Sequence, residues 1–184
     1  MARPVDDEIP YHLQEAILAD PALSHLEVFL GWVRNTEFEV PSISIVPGDV
    51  DRTDTHGIER IDPVDTDTVA VFFRDTTVTL PLTLELYTTD KTERSKLTEP
   101  IRKLFHPDPP DKTSDPPGRH LELTLDKHHG AEAFLYLRNS EPSDSEGVSE
   151  GYFRRTFNVV AETVELTRHE YERATITSNT NIEG

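Results

Sequence analysis

The chain has 184 residues and a formal net charge of −17, with 35 acidic and 18 basic side chains, which excludes a protein that binds nucleic-acid phosphates over its general surface. It contains no cysteine, which excludes disulfides and thiolate metal sites. No apolar run approaches the length of a membrane helix, and residues 1–8 lack the apolar core of a signal peptide, so we expect a protein that stays in the cytosol until it is assembled. The length favours a single domain, residues 1–184, with short flexible tails at 1–6 and 178–184.

The basic residues are unevenly divided, with 13 arginines and only five lysines. An acid-rich, lysine-poor, cysteine-free and threonine-rich composition resembles that of proteins adapted to molar salt, where charge screening shortens to about 3 Å and self-repulsion stops mattering. An ordinary acidic protein of a mesophile is the alternative. We favour the halophilic interpretation.

The first third of the chain predicts a helix followed by two strands. Residues 7–20 carry an apolar stripe at helical spacing, formed by Ile9, Leu13, Ala16 and Ile17, and Pro21 ends this helix. The pattern of residues 26–34 predicts a strand with both faces partly covered. Residues 42–46 predict a second, short strand.

The middle of the chain contains the clearest strand. Residues 49–68 lack usable periodicity, hold seven acidic residues against two arginines, and predict a long irregular loop. A continuous apolar run at 69–73 predicts a strand, and residues 75–77 predict a tight turn after it. From 77 to 87, apolar and polar residues alternate strictly, which predicts a further strand. Pro81 lies in the polar phase and lacks an N–H donor, so it predicts a sheet edge or a bulge.

The second half predicts one more helix and several strands. Residues 90–105 begin with a capping-box spacing and carry an apolar stripe, which predicts a helix that Pro100 kinks or splits. A proline-rich loop at 106–118 precedes strands that begin near 121, 133 and 152, and an acidic loop spans 139–151. A change of phase near Ala161 predicts a bulge. These elements predict an α+β fold, with a single mixed, mostly antiparallel sheet, two flanking helices and long acidic loops.

No motif in the sequence predicts an enzyme or a cofactor site. The chain lacks a Walker loop, a glycine-rich dinucleotide turn, a nucleophile elbow and a paired-histidine zinc helix. His128 and His129 are adjacent, but adjacent side chains rarely converge on one metal. Residues 49–60 resemble a calcium loop, but Asp54 stands where an EF-hand needs glycine and Arg60 where it needs glutamate. We therefore expect no catalytic, cofactor-binding or metal-binding residues.

The order of the elements carries a resemblance to a known family. An early helix is followed by a strand with Gly31 and Trp32, a strand at 41–45 and an irregular stretch, and then the alternating strand 80–87 leads directly into the charged helix 90–97. From about Tyr11 onwards, including the late strand at 152–159, the chain resembles the tail terminator (tail completion) family of tailed bacteriophages and archaeal tailed viruses. This resemblance is one of pattern, so it carries over no catalytic or ligand residue.

The resemblance implies a structural protein of the virion, assembled in the host cytoplasm, that forms a six-fold ring on the end of the tail tube. Such a ring stops tube growth and joins the tail to the head-closure or neck connector protein. Double-stranded DNA would pass through its lumen without specific binding, and no membrane would be involved. The alternatives are another neck or tail component, such as a head-closure or minor tail protein, or a small ligand-binding or regulatory α/β domain.

A ring requires an interface in which one patch meets a different patch on the neighbour. The locally basic helix and the acidic loops are candidate patches for contacts with other copies, the tube protein or the connector, and solvated faces are the equal alternative. The basic candidates are Lys91, Arg94, Lys96, Arg102 and Lys103. The acidic candidates are Asp49, Asp51, Asp54, Asp65, Asp67, Glu141, Asp144 and Glu146.

Overall fold

A computed structural model describes residues 4–31, 39–105, 120–138, 143–147 and 152–172 of the chain, with 143–147 described by their backbone. These residues form two helices, α1 (Val5–Ala19) and α2 (Lys91–Phe105). The strands of the first half are β1 (Glu27–Leu30), β2 (Ser42–Pro47), β3 (Asp51–Pro63) and β4 (Thr68–Thr88). The strands of the second half are β5 (Leu121–Leu125), β6 (Ala131–Leu137), β7 (Ser143–Gly147) and β8 (Tyr152–Glu172).

The strands within the described ranges form one eight-stranded sheet. The order across it is β1-β2-β4-β8-β6-β5, with β3 paired to β4 and β7 paired to β8. The β1–β2 pair is parallel and the other pairs are antiparallel. The predicted α+β fold with a single mixed, mostly antiparallel sheet and two flanking helices is therefore confirmed.

Both helices cover the same face of the sheet. The alternating residues of β4 point to this face and are buried, and Leu84 lies opposite Phe157 of β8 in register. The residues that meet there from the sheet and from the two helices form one buried cluster, which includes Val78, Leu80, Leu82, Leu84 and Leu86 of β4, Ile9, Leu13 and Ile17 of α1, and Leu97, Ile101 and Phe105 of α2. The apolar stripes that predicted the helices and the alternating strand are the stripes that the core buries.

Strands β4 and β8 are longer than the core that they cross. Each has 21 residues, and they pair from Thr68 opposite Glu172 to Thr88 opposite Phe153. At about 3.3 Å per residue, such a strand spans on the order of 65–70 Å, which is several times the length of an average strand. We call the part of the sheet beyond the core the arm; it consists of β3, residues 68–77 of β4 and residues 164–172 of β8, with the connection 64–67 at its tip. None of its residues belongs to the core cluster.

The expected irregular loop at 49–68 was wrong, because most of it is strand β3. This strand pairs with β4 from Asp51 opposite Thr79 to Pro63 opposite Val69. Its register shifts twice, between Asp54 and Gly57 and between Ile58 and Arg60. Each shift changes which side chains share a face, and nearly all of the strand is exposed. These two properties erase the period-two pattern that would have predicted it.

Other expectations for the long strands also need correction. Residues 75–77 make no tight turn: β4 runs through them with a register shift between Arg74 and Thr76, so the bulge lies there and not at Ala161 of β8. Pro81 lies where the neighbour of β4 changes, since β2 ends opposite Leu82 and β3 begins opposite Thr79. The Gly48 N–H donates to the Pro81 carbonyl at 2.8 Å. The Pro81 nitrogen, which has no hydrogen to donate, therefore lies on the same side of β4, in the gap between β2 and β3. Helix α2 is not split at Pro100. Residues 143–147 of the expected acidic loop 139–151 form strand β7, which pairs with β8.

Two isoleucines give a matched test of where the core ends. Ile43 of β2 is fully buried in the core cluster, whereas Ile61 of the arm is 56% exposed. We expect Ile43→Ala to lower the free energy of unfolding by about 2–5 kcal/mol, because it leaves a cavity. Ile61→Ala should lower it by less than about 1 kcal/mol. Urea unfolding of dilute protein measures both, and equal losses would show that the arm is part of the monomer's core.

Candidate assembly surface

One face of the arm is largely apolar; its outer positions are exposed, whereas Val71 at its centre is 7% exposed. In register, Pro63, Val69 and Tyr171 form one row across the three strands, Ile61, Val71 and His169 form the next, and Ile58, Phe73 and Thr167 form the third. Directly opposed residues share a face of a sheet, so these nine side chains lie together. Ile58 is 61% exposed and Tyr171 is 48% exposed. Ring contacts join Phe73 to His169 and to Tyr171, at centroid distances of 5.6 and 6.5 Å.

This apolar face continues the face that the helices cover in the core. Phe157, Val159 and Ala161 of β8 are buried beneath the helices. The same alternation along β8 leads to Thr167, His169 and Tyr171. The face therefore runs from the core onto the arm, where the described residues provide no helix to cover it. An apolar face that the described residues leave partly exposed is a candidate surface for interaction.

The opposite face of the arm carries charged side chains around the buried Ala70 and Phe72, and it is tied to the rest of the protein. The Arg60 guanidinium lies 4.4 Å from the centre of the Phe72 ring and donates a hydrogen bond of 2.9 Å to the His129 carbonyl. Arg74 forms an ion pair with Glu59 on the neighbouring strand. Because His129 belongs to the turn between β5 and β6, Arg60 attaches the arm to that turn.

The base of the arm is also attached to the start of α1. Arg52 of β3 bridges Asp6 of α1, at 2.9 Å, and Glu165 of β8, at 3.4 Å. Glu8, whose carboxylate is buried, contacts His12 at 3.1 Å, His128 at 3.2 Å and the Lys127 N–H at 3.2 Å. These contacts connect α1, the β5–β6 turn and the arm. They therefore fix the direction in which the arm projects from the core.

A second group of exposed apolar side chains lies away from the arm. Tyr11 and Leu18 of α1 are each 40% exposed, and Leu30 of β1 is 48% exposed. Tyr11 and Leu18 are seven residues apart, which places them on the same side of a helix. Since the buried stripe of α1 faces the sheet, this side is the outer face of the helix.

The basic candidates do not form one exposed patch. Lys91, Lys96 and Lys103 of α2 are exposed and Arg102 is half-buried. Arg94, at 7% exposure, is buried, with its guanidinium 5.5 Å from the centre of the Phe153 ring. Arg94 thus packs α2 onto the end of β8, and the lysines are the surface that α2 offers.

The acidic candidates are spread out, and five of them, Asp49, Asp51, Asp54, Asp65 and Asp67, are exposed. Asp49 lies between β2 and β3, Asp51 and Asp54 lie on β3, and Asp65 and Asp67 lie in the connection at the tip. The Asp65 carboxylate accepts the N–H groups of Asp67 and Thr68, at 2.8 and 2.7 Å, so it shapes the tip. Asp144 and Glu146 belong to β7, opposite Arg155 and Phe153 in register, and Glu141 lies outside the described residues.

Within the described part of the chain, no three histidine, aspartate or glutamate side chains are arranged to hold a metal ion. An open groove of about 600 Å³ lies at the root of the arm, lined by Glu59, Arg60, Arg74, Phe134 and Glu162 among others. Its arginines already bind Glu59 and the His129 carbonyl. No described helix is long and apolar enough to cross a membrane.

Comparison with known proteins gives no relative: neither the known protein families nor the curated proteins contain a match to this chain.

A buried polar cluster lies near the other end of β4, on the face away from the helices. The Glu85 carboxylate accepts hydrogen bonds from the Tyr87 hydroxyl, at 2.5 Å, and from Arg154 of β8, at 3.2 Å. Burial, followed by the hydrogen bond and the negative charge of Glu85, raises the pKa of Tyr87 to about 12. The cluster joins β4 to β8 at the end opposite the arm.

This pKa predicts a loss of stability at alkaline pH. Tyr87 keeps its proton up to about pH 12 in the folded protein, whereas an unfolded tyrosine loses it near pH 10. The stabilisation is therefore complete below pH 10 and is lost as the pH rises towards 12. We expect Tyr87→Phe to reduce the fall in the urea midpoint between pH 10 and 12. Tyr171→Phe, in the exposed part of the arm, is the control and should leave the fall unchanged.

Proposed function

We propose that this chain is a structural protein of a tailed virus, a tail terminator that forms a ring on the end of the tail tube and joins the tail to the head or neck connector. The observation that carries the proposal is the apolar face of the arm, which extends beyond the core and on which Ile58, Ile61 and Tyr171 are exposed. The order of helices and strands that resembles the family supports the same proposal.

The exposed apolar face is best explained by assembly. The chain carries 35 acidic residues, a composition that keeps a protein soluble, yet isoleucines, a valine and a tyrosine remain exposed on one small part of it. Such side chains add little to the stability of a monomer while they face water. They contribute fully once a partner covers them. A component of a larger particle meets that partner as it assembles, and it needs no catalytic residues.

A ring is the form of assembly that these surfaces favour. The arm and the outer face of α1 are different surfaces of one chain, and a contact between different surfaces repeats from copy to copy. When the rotation between copies closes, the result is a ring. The acidic composition then suits a lumen through which DNA slides without phosphate contacts, with the net charge of −17 opposing adhesion. The same composition suits assembly in molar salt.

The native mass tests this proposal. Light scattering of the purified chain at about 0.15 M and at about 2–3 M salt should show a ring, with about six copies of the 20.9 kDa chain, formed or strengthened at high salt because like charges are then screened. Negative-stain images should show closed rings with a central opening. Open fibres would contradict the ring, and a monomer in both salts at every concentration would contradict self-assembly.

A further inference from the structure

Glu8, on the first turn of α1, places a carboxylate inside the protein. The residue is 2% exposed, and its Oε1 lies 3.1 Å from His12 Nε2 on the same helix. Its Oε2 is buried, accepts no hydrogen bond, and lies 3.2 Å from His128 Nε2 of the β5–β6 turn. Within the described ranges, no lysine or arginine forms an ion pair with this carboxylate. A buried ionised carboxylate needs a positive partner, and here only a protonated histidine can supply one.

The position of His12 requires a proton on each of its ring nitrogens. Its Nε2 faces Glu8, and its Nδ1 lies 3.0 Å from Oε2 of Glu15. Ionised carboxylates only accept hydrogen bonds, and a neutral imidazole carries one N–H whereas the charged ring carries two. Both contacts are therefore hydrogen bonds only when the ring is charged. The side chain of Glu15 is 54% exposed and can turn towards water, but Glu8 is held inside.

We infer that Glu8, His12 and His128 form a pH-sensitive switch that sets how firmly the β5–β6 turn is held against α1. When a histidine ring carries a positive charge, the buried carboxylate binds the helix and the turn together. When the rings lose that charge, the carboxylate is left inside the protein without a counter-ion, and the attachment weakens. This inference concerns the fold of one chain and does not depend on the proposed function.

The β5–β6 turn connects this switch to the arm. Glu8 also accepts the Lys127 N–H, at 3.2 Å, and two residues further on the His129 carbonyl accepts the hydrogen bond of Arg60. The His129 ring lies 5.8 Å from the ring of Phe72 in β4. Residues 127–129 are therefore held by α1 on one side and by the arm on the other. A turn that is released from α1 holds Arg60, and with it the arm, less firmly.

The other charged groups near the cluster fix the direction of the effect. On α1, Asp7 is exposed and Asp6 is paired with Arg52 of β3. On the turn, the side chains of Asp126 and Lys127 are exposed. In an unfolded chain, glutamate loses its proton near about pH 4.3 and a charged histidine near about pH 6.5. The contact between opposite charges therefore stabilises the fold between these values, and its contribution is lost as the pH rises beyond about 6.5.

Urea unfolding of the full chain at about pH 5.5 and about pH 8 tests the switch. In the wild type the midpoint should fall between the two. Glu8→Gln keeps the shape of the side chain and removes its charge. It should lower the midpoint at the lower pH, where the ion pair forms, and raise it above the wild-type value at the higher pH, where the charge has no counter-ion. His12→Gln should reduce the fall, whereas His25→Gln, at an exposed histidine, is the control and should keep it.

Spin labels on the same protein follow the arm. The chain has no cysteine, so Asp67→Cys at the tip and Lys96→Cys on α2 introduce the two sites that carry the labels. Both positions are exposed. The distribution of distances between the labels should broaden in the wild type as the pH rises from about 5.5 to about 8. It should not change with pH when the labelled chain also carries Glu8→Gln.

Two results would overturn the switch. One is a midpoint that falls by the same amount in the wild type, Glu8→Gln and His12→Gln. The other is a loss in Glu8→Gln that is equal at the two pH values, because a hydrogen bond with a purely structural role predicts such a loss. If Glu8→Gln does not fold, His12→Gln, at a half-buried position, carries the same comparison. A distance distribution that stays constant while the wild-type midpoint falls would overturn the link to the arm.

Discussion

The antiparallel pairing of β4 with β8 is the interaction on which the other features of this molecule depend. The two strands pair without interruption from Thr68 to Arg74 and from Thr76 to Thr88, and the remaining strands add to their sides. One part of this ladder forms the floor of the core, beneath α1 and α2. The other part forms two of the three strands of the arm. The hydrogen bonds of one ladder thus hold the arm in line with the core. Ion pairs of Arg52 with Asp6 and Glu165, and a hydrogen bond from Arg60 to the His129 carbonyl, fix its base.

The same sheet face has two different roles along this ladder. Over the core, its side chains come from Leu80, Phe157 and Ala161, and both helices cover them. Over the arm, they come from Val69, Phe73 and Tyr171, and no helix among the described residues covers them. The bulge between Arg74 and Thr76 is where the two regions meet. Because it shifts the alternation of β4 by one residue, Phe73 and Val71 join the face that Val78 and Leu80 occupy further along.

The sequence predicted the parts of the fold in which one period governs a whole element. The stripe of α1 and the alternation of Val78 to Leu86 are examples, and both became core. It did not predict β3, since Ile58 and Ile61 are three residues apart in a charged segment, a spacing that does not fit the period of a strand. They share a face only because Glu59 lies in a bulge. The pairing that shows this lies in β4, ten or more residues further on. Charge alone therefore made Arg94, which is buried, an interface candidate, and it left out the exposed isoleucines.

An acidic protein with a small apolar surface has a physical reason to assemble only under certain conditions. Apolar burial is favourable at any ionic strength, but ten acidic residues on the arm oppose the approach of any acidic partner while their charges are unscreened. At about 0.15 M salt the screening length is roughly 8 Å, so carboxylates at the rim of a contact still repel one another. At molar salt the screening length falls to about 3 Å, and the burial of apolar surface then determines whether association is favourable. In the assembly that we propose, the apolar face would therefore drive association and salt would permit it.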